Sequence, residues 1–113
     1  MQPFRKSAMV IAVLCASLTG CHSIGPGERV VLDKSCGTCH TIPGVNGAHG
    51  LVGPPLVSFG KRMYIAGQLP NTRENLVRWV RSPQTVEPDT AMPDLGLSDQ
   101  QARDVAEFLY TLR

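Results

Sequence analysis

The run Cys36-Gly37-Thr38-Cys39-His40 constrains this chain more than any other feature of its sequence. Two thiols separated by two residues and followed at once by an imidazole form the attachment signature for c-type haem. In a helical segment Cys36 and Cys39 are spaced i, i+3 and His40 is i+4 from Cys36, so the three side chains share one side. The motif predicts that two thioether bonds hold one haem while His40 reaches the iron.

Three other interpretations of the cysteine pair are weaker. A thioredoxin-like redox pair belongs to a strand–helix–strand unit, which the flanking sequence does not predict. A zinc site needs two further Cys or His ligands, and only His22 and His49 remain, at no useful paired spacing. A disulfide across two residues would close a strained small ring. Haem attachment is therefore the favoured interpretation.

An electron-carrying haem needs a second axial ligand, which is usually Met or His. Met92 is the favoured candidate because it precedes Pro93 in an irregular, proline-rich stretch. Proline restricts itself and the residue before it, which suits an extended strap across a flat ring. Met63 is interpreted as a core residue, His49 as a loop residue that is solvated or near the haem edge, and His22 as part of a tether. Met63, His49 and an open iron position remain alternatives to Met92.

The first 20 residues have the pattern of an export signal, with Arg5 and Lys6 ahead of the apolar run Ala8–Leu18. That run is too short to span a bilayer, which takes about 20 helical residues. The following Leu-Thr-Gly-Cys, ending at Cys21, resembles the bacterial lipoprotein box. The resemblance implies cleavage before Cys21 and lipidation of its thiol, and two or more acyl chains give stable anchoring. An ordinary secretory cleavage nearby, which would leave Cys21 free, is the alternative.

The chain has 113 residues, which suits a single domain. We expect a lipoprotein signal peptide at residues 1–20, a lipidated N-terminus and tether at 21–27, and one folded domain at 28–113. Without the signal peptide the acidic and basic residues balance, which excludes a protein that relies on contacts with nucleic-acid phosphates. A hydrophobic fraction of 42% with 18% charged residues excludes both a disordered tail and a polytopic membrane protein.

Three helical segments are predicted, and no strand is convincing. The first helix runs from Glu28 into the haem motif. Residues 41–60 are rich in glycine and proline and lack periodicity, so they form a long loop, which a prosthetic group to wrap around would explain.

The second and third helices carry N-terminal capping signals. Asn71 is the predicted N-cap of the second helix, with Glu74 as its capping-box partner, and the helix ends before Pro83. Ser98 and Gln101 stand in the same relation at the start of the third helix. The third helix has an apolar face at i, i+3, i+4 spacing, and we expect it to pack against the N-terminal helix.

Three motifs on these segments, Cys36-x-x-Cys39-His40, Gly53-Pro54 and Ala91-Met92-Pro93, resemble class I cytochromes c over nearly the whole mature chain. The resemblance implies an all-α class I cytochrome c fold, with three or more helices and long loops wrapped around one covalently bound haem c.

A narrower likeness links the chain to the cytochrome c domain fused to subunit II of some haem-copper oxidases. No copper-site domain is expected ahead of it here. The likeness is carried by five segments: Thr41-Ile42-Pro43-Gly44, Gly53-Pro54-Pro55-Leu56, Leu69-Pro70-Asn71-Thr72, Asn75-Leu76-Val77-Arg78-Trp79-Val80 and Met92-Pro93-Asp94-Leu95-Gly96-Leu97.

The resemblance to class I cytochromes c also implies roles for three residues outside the haem motif. The carbonyl of Pro54 would accept a hydrogen bond from the ligand His40 and so fix the imidazole. Trp79 and Arg62 would contact the haem propionates. From the sequence alone, Trp79 is equally a core residue and Arg62 a solvated surface charge.

We therefore expect a membrane-tethered one-electron carrier, not an enzyme, with haem iron held by His40 and Met92 as part of a respiratory chain. It would be lipid-anchored on the periplasmic side of a membrane of the bacterial cell envelope. Its partners would be redox proteins, a terminal oxidase or a dehydrogenase, with no small-molecule substrate and no nucleic acid. A dedicated cytochrome subunit of an oxidase or dehydrogenase complex is the alternative, and a haem peroxidase or gas sensor is a weaker one.

Charged residues are unevenly distributed along the chain. Basic residues gather between Lys61 and Arg81, whereas residues 87–107 are mainly acidic. This asymmetry predicts electrostatic steering of the redox partner, which added salt would weaken.

Overall fold

The structure, a computed structural model, describes residues 20–113. The predicted signal peptide therefore lies, except for Gly20, outside the described residues. Within them the structure has three α-helices: α1 (Pro26–Asp33), α2 (Arg73–Arg81) and α3 (Asp99–Thr111). Single 3-10 turns lie at Cys36–Thr38, Phe59–Lys61 and Pro83–Thr85, and two short strands are β1 (Tyr64–Ile65) and β2 (Leu69–Pro70). The predicted all-α fold of three helices with long loops is confirmed.

The first helix differs from the prediction at both ends. It begins at Pro26, because proline lacks an N–H and has a fixed φ that suits the first helical turn. It ends at Asp33, and Ser35 then adopts a left-handed φ of 56°. The predicted continuous helix into the haem motif is wrong, since this backbone turn separates α1 from the 3-10 turn Cys36–Thr38.

The predicted N-cap of α2 is also wrong. Thr72 is the N-cap, and its Oγ1 accepts a hydrogen bond of 3.2 Å from the backbone N–H of Asn75. The Asn71 side chain instead donates to the carbonyl of Arg62 at 2.9 Å and to that of Phe59 at 3.3 Å. The Asn71 side chain therefore makes tertiary contacts instead of the predicted cap. The predicted capping box of Asn71 with Glu74 is wrong for the same reason.

The N-terminus of α3 is as predicted. The Ser98 hydroxyl accepts from the backbone N–H of Gln101 at 3.1 Å, and the Gln101 side chain accepts from the backbone N–H of Ser98 at 2.9 Å. This reciprocal pair satisfies two donors that a helix start leaves free.

The predicted packing of the terminal helices is confirmed by a close approach at Gly27. A Cβ at Gly27 would lie 2.6 Å from Cβ of Phe108, so only glycine allows α1 to pack this closely on α3. The buried face of α3 consists of Ala102, Val105, Ala106 and Leu109. These side chains join the core formed with α1, α2 and the 3-10 turn at Phe59.

The strands β1 and β2 form an antiparallel hairpin that was not predicted. Ala66 and Gly67 both have positive φ, 50° and 66°, and the Gln68 N–H donates to the Ile65 carbonyl at 2.9 Å. This is the geometry of a type I′ turn, whose usual sequence signal is Asn-Gly rather than Ala-Gly. A second, isolated bridge joins Thr41 to His49 inside the long loop.

The longest helix of residues 20–113 is α3, with 13 residues, and no helix in this range is long and apolar enough to cross a membrane.

Candidate functional site

A cavity of about 520 Å³ lies between α1, the haem motif, α2, α3 and the loops that connect them. Its walls are mainly apolar, with Val31, Phe59, Leu76 and Leu109 among them. Volumes of ~300 to 1,000 Å³ are typical of cofactor and ligand sites. The cavity is lined by every predicted haem-site residue: Cys36, Cys39, His40, Pro54, Arg62, Trp79 and Met92.

The two cysteines of the motif are free thiols in a tight turn. The N–H groups of Cys39 and His40 both donate to the Cys36 carbonyl, at 3.2 and 3.0 Å. Burial raises the pKa of the Cys36 thiol, a backbone hydrogen bond opposes that shift, and repulsion from Cys39 adds to it. Within residues 20–113, therefore, the pair forms no disulfide and stands beside the cavity with His40.

The imidazole of His40 is oriented by the backbone of the facing loop. Its Nδ1 lies 2.7 Å from the carbonyl oxygen of Pro54, and since a carbonyl can only accept, Nδ1 is the donor. The N–H of Gly53, the preceding residue, donates to the Cys39 carbonyl at 2.7 Å. Protonation at Nδ1 leaves Nε2 as the nitrogen with a lone pair, the form in which histidine binds a metal.

Glycines let the loop lie flat against the motif. A Cβ at Gly53 would lie 2.8 Å from Nδ1 and 2.9 Å from Nε2 of His40, and a Cβ at Gly37 would lie 2.7 Å from Cβ of Ala48. Sequence reasoning did not assign Gly37 or Gly53 to the site. The signal available was their position, with Gly37 between the two cysteines and Gly53 directly before Pro54.

Met92 is held by hydrogen bonds to its own backbone. The Gln84 side chain donates to the Met92 carbonyl at 2.8 Å, and the Met92 N–H donates to Oγ1 of Thr90 at 3.2 Å. Gln84 and Thr90 were missed, because neither residue type in a loop signals a contact with a particular carbonyl or amide.

The alternative ligands Met63 and His49 lie elsewhere. Met63 is 79% exposed, so its interpretation as a core residue is wrong. His49 is exposed and pairs through its backbone with Thr41. Neither lines the cavity, and Met92 is the methionine of residues 20–113 that does.

Arg62 and Trp79 both line the cavity but differ in their contacts. Trp79 is 9% exposed and is part of the core as well as of the cavity wall. The Arg62 guanidinium donates to the carbonyls of Pro55 and Val57, the latter at 3.2 Å, and its central carbon lies 5.6 Å from the centroid of the Phe59 ring. Arg62 is thus half-buried and hydrogen-bonded to the backbone.

The residues of this cavity fit a haem. Two free thiols are present for thioether bonds, the imidazole has one nitrogen committed to Pro54, and a thioether side chain lines the same space. Because Gly53 has no Cβ, the loop can approach the imidazole closely. Apolar walls suit a large flat ring, and the donors of Arg62 and Trp79 suit its carboxylates.

The basic and acidic segments of the sequence meet in the fold. Arg73 pairs with Glu107 and Arg81 with Asp99, which joins α2 to α3. These side chains are about half exposed, so each pair stabilises the fold by only ~0 to 1 kcal/mol. Because the pairs neutralise charge between the two segments, the asymmetry available for steering is smaller than the sequence suggests.

Comparison with known proteins agrees with this site. A family model described as cytochrome c matches residues 24–113, which include the haem motif, the loop and Met92. The chain belongs to the cytochrome c family of electron-transfer haem proteins.

This cytochrome also matches three curated relatives named cytochrome c oxidase subunit 2. It is 38% identical to that of Alkalihalophilus pseudofirmus over 79 residues, which are 67% of this chain and 22% of the relative. The proteins from Bacillus sp. strain PS3 and Bacillus subtilis are 32% identical over 89 residues and 30% over 91. These matches cover 75% and 77% of this chain and 25% and 26% of the relatives. The cytochrome thus spans about a quarter of their length, and the predicted relation to oxidase subunit II is confirmed.

Proposed function

We propose that this cytochrome is a membrane-tethered one-electron carrier with one haem c, attached through Cys36 and Cys39 and ligated by His40 and Met92. The observation that supports this proposal most strongly is that all four side chains line one cavity of about 520 Å³. The haem would supply the reversible one-electron chemistry of its iron.

His40 and Met92 would keep the coordination unchanged between the two oxidation states. The Pro54 carbonyl accepts a hydrogen bond from Nδ1 of His40 and so fixes the tautomer in which Nε2 is free to bind iron. Gln84 and Thr90 hold the backbone of Met92. A thioether ligand and apolar walls both favour the reduced state and so raise the reduction potential. Since neither ligand is released, we propose no substrate site and no enzymatic turnover.

Trp79 and Arg62 would contact the haem propionates, as the resemblance to class I cytochromes c implies. The indole N–H is a donor from a buried side chain, and the guanidinium carries a permanent charge. Both side chains line the cavity, which supports this assignment. The guanidinium has donors beyond those bonded to Pro55 and Val57.

Cys21 would carry the membrane anchor after removal of residues 1–20. It is exposed and lies five residues before the first residue of α1. Five residues reach at most about 17 Å, so a lipid at Cys21 would hold the domain close to the bilayer, on the periplasmic side. Mass spectrometry of the mature N-terminus tests this, since a diacylglycerol thioether on Cys21 is expected and a free thiol would contradict it.

The names of the relatives support a terminal oxidase as the redox partner. They also favour a second candidate function, a dedicated cytochrome subunit of an oxidase complex. Gentle solubilisation of membranes separates the two. A free carrier migrates alone, whereas a subunit migrates with the oxidase.

Substitution of Met92 tests the carrier function together with its ligand. M92A should lower the reduction potential and abolish the far-red charge-transfer band of the oxidised protein, because the thioether is lost. M63A is the matched control, since Met63 is exposed and outside the cavity. A peroxidase or gas sensor would lack the far-red band at rest. An unchanged spectrum in M92A would contradict the assignment of Met92.

A further inference from the structure

The Pro54-Pro55 pair has backbone hydrogen-bond acceptors but no backbone donor. Proline has no backbone N–H, so these two residues offer two carbonyl acceptors and no donor. Their partners must come from elsewhere in the fold. The Pro54 carbonyl accepts from Nδ1 of His40 at 2.7 Å, and the Pro55 carbonyl accepts from Arg62.

Arg62 holds the segment on the far side of the His40 contact. Its guanidinium donates to the carbonyls of both Pro55 and Val57 and lies over the Phe59 ring. On the near side, the Gly53 N–H is bonded to the Cys39 carbonyl. The Leu56 N–H is also bonded to the Thr41 carbonyl at 2.8 Å, so two backbone hydrogen bonds and Arg62 hold the segment that contains the Pro54 carbonyl.

The backbone of Arg62 is itself anchored to the core. Its carbonyl accepts from the Asn71 side chain at 2.9 Å, and Oδ1 of Asn71 accepts from the Tyr110 hydroxyl at 2.8 Å. Tyr110 belongs to α3. A continuous set of contacts thus runs from α3 through Asn71 and Arg62 to the loop that orients His40.

We propose that Arg62 is a positioning residue for the axial histidine, acting through the carbonyls of Pro55 and Val57 on the carbonyl of Pro54. This inference rests on the proposed ligation by His40. It differs from a propionate contact, which needs the positive charge of Arg62, because the positioning role needs Nη2, the outermost atom of the guanidinium, which donates to both carbonyls.

Lysine separates these two roles. R62K keeps the charge but ends one atom short of Nη2, R62M removes the charge and the donors, and K61M removes a neighbouring charge from an exposed side chain. The measured quantity is the hydrogen-exchange rate of the His40 Nδ1 proton, followed by NMR in the reduced, haem-loaded cytochrome. The amide of Ala106, fully buried in α3, reports global opening in the same sample.

In R62K and R62M we expect exchange at His40 Nδ1 to be faster by about tenfold or more, as loss of a charge-assisted hydrogen bond implies. The acceleration at Ala106 should be clearly smaller, and K61M should match the wild type at both sites. A wild-type rate in R62K, or equal acceleration at His40 and Ala106, would overturn the inference. R62K and K61M decide the matter even where R62M loads no haem.

The proposed ligation fails in a different way. If His40 is not the axial ligand, its ring protons in the wild-type cytochrome lack the ring-current shift that the haem imposes on a ligand. The ring-current shift of the wild-type protein is measured before any variant, so failure of the proposed ligation is distinguished from failure of the positioning role.

Discussion

Two segments line the cavity with a proposed ligand each, and they are held by different kinds of contact. The first, here called the His40 wall, is residues 36–57. It is fastened mainly by backbone hydrogen bonds between its own turns, and Arg62 binds its last residues. The Gly50 N–H donates to the Gly37 carbonyl at 3.0 Å, and the Leu56 N–H donates to the Thr41 carbonyl at 2.8 Å. Glycines remove the Cβ atoms that would keep these turns apart.

The second segment, the Met92 strap, is residues 84–97. Up to Thr90 it is held by short backbone turns, such as the hydrogen bond from the Thr90 N–H to the Glu87 carbonyl at 3.1 Å. Around Met92 side chains fasten it: Gln84 donates to the Met92 carbonyl, Thr90 accepts from the Met92 N–H, and Asp94 accepts from the Gly96 N–H at 2.9 Å. Such contacts break singly, whereas the backbone contacts of the wall depend on one another. The strap should therefore open locally before the wall does.

The largest effect is expected where the wall is tightest. G53A places a Cβ 2.8 Å from Nδ1 of His40, and the resulting overpacking should destabilise the fold by about 3 kcal/mol and reduce haem loading. The haem-to-protein absorbance ratio and urea unfolding measure both. G25A is the control, since nothing lies within 4 Å of a Cβ there. Normal haem loading in G53A would show that the wall yields easily.

We expect the second-largest effect on stability from the hydrogen bonds through Asn71 that connect α3 to Arg62 and so to the wall. Y110F removes the hydroxyl that donates to Asn71 and should cost about 1 kcal/mol. Burial raises the pKa of Tyr110, with Arg73 opposing the shift, so the unfolded chain loses its proton first. The tyrosine's contribution is therefore complete below pH ~10 and falls as the pH rises further.

Urea midpoints of wild type and Y110F across that range measure the effect, and their difference should shrink at alkaline pH. Y64F is the control, because Tyr64 is exposed. A difference that is constant with pH would contradict the link.

The strap should respond to loss of a single side chain. Q84A removes the donor to the Met92 carbonyl and should weaken the strap by about 1 kcal/mol. The far-red band should then disappear at a lower urea concentration, while helix circular dichroism changes little. Q100A, on the exposed side of α3, is the control. If both signals moved together in Q84A, strap and wall would open as one unit.

The β1–β2 hairpin, which also lines the cavity, belongs to neither segment. We expect substitutions in its turn to have the smallest effect on stability. Ala66 has a positive φ of 50°, which is unfavourable for alanine. A66N creates the Asn-Gly pair that type I′ turns prefer and should stabilise the fold by about 0.5 to 1 kcal/mol. A66V should do the reverse, because β-branched residues suit this conformation worst. Thermal unfolding compares the three proteins, and no gain in A66N would show that the turn is unstrained.

The parts of the site that the sequence predicts are those encoded by adjacent residues. The Cys36-to-His40 motif, the Ser98 capping box and the proline beside Met92 each depend on their immediate neighbours. Pro54 and the fold class followed from resemblance to a family.

The predictions that fail depend on distant partners. Asn71 has the residue type of an N-cap, but Arg62, Phe59 and Tyr110 bind its side chain instead. Ala66-Gly67 turns tightly without the residue that usually announces such a turn. The two carbonyls that Arg62 holds become its neighbours only after folding, so no local pattern could have indicated them.

Every role proposed above depends on one haem that we propose is bonded to Cys36 and Cys39 within the cavity. Intact mass spectrometry of the exported protein, denatured in acid and made in cells with working cytochrome maturation, tests it most directly. We expect a polypeptide that retains the mass of one haem after denaturation and loses it when both cysteines are replaced by alanine. A colourless chain with the mass of the polypeptide alone would contradict it.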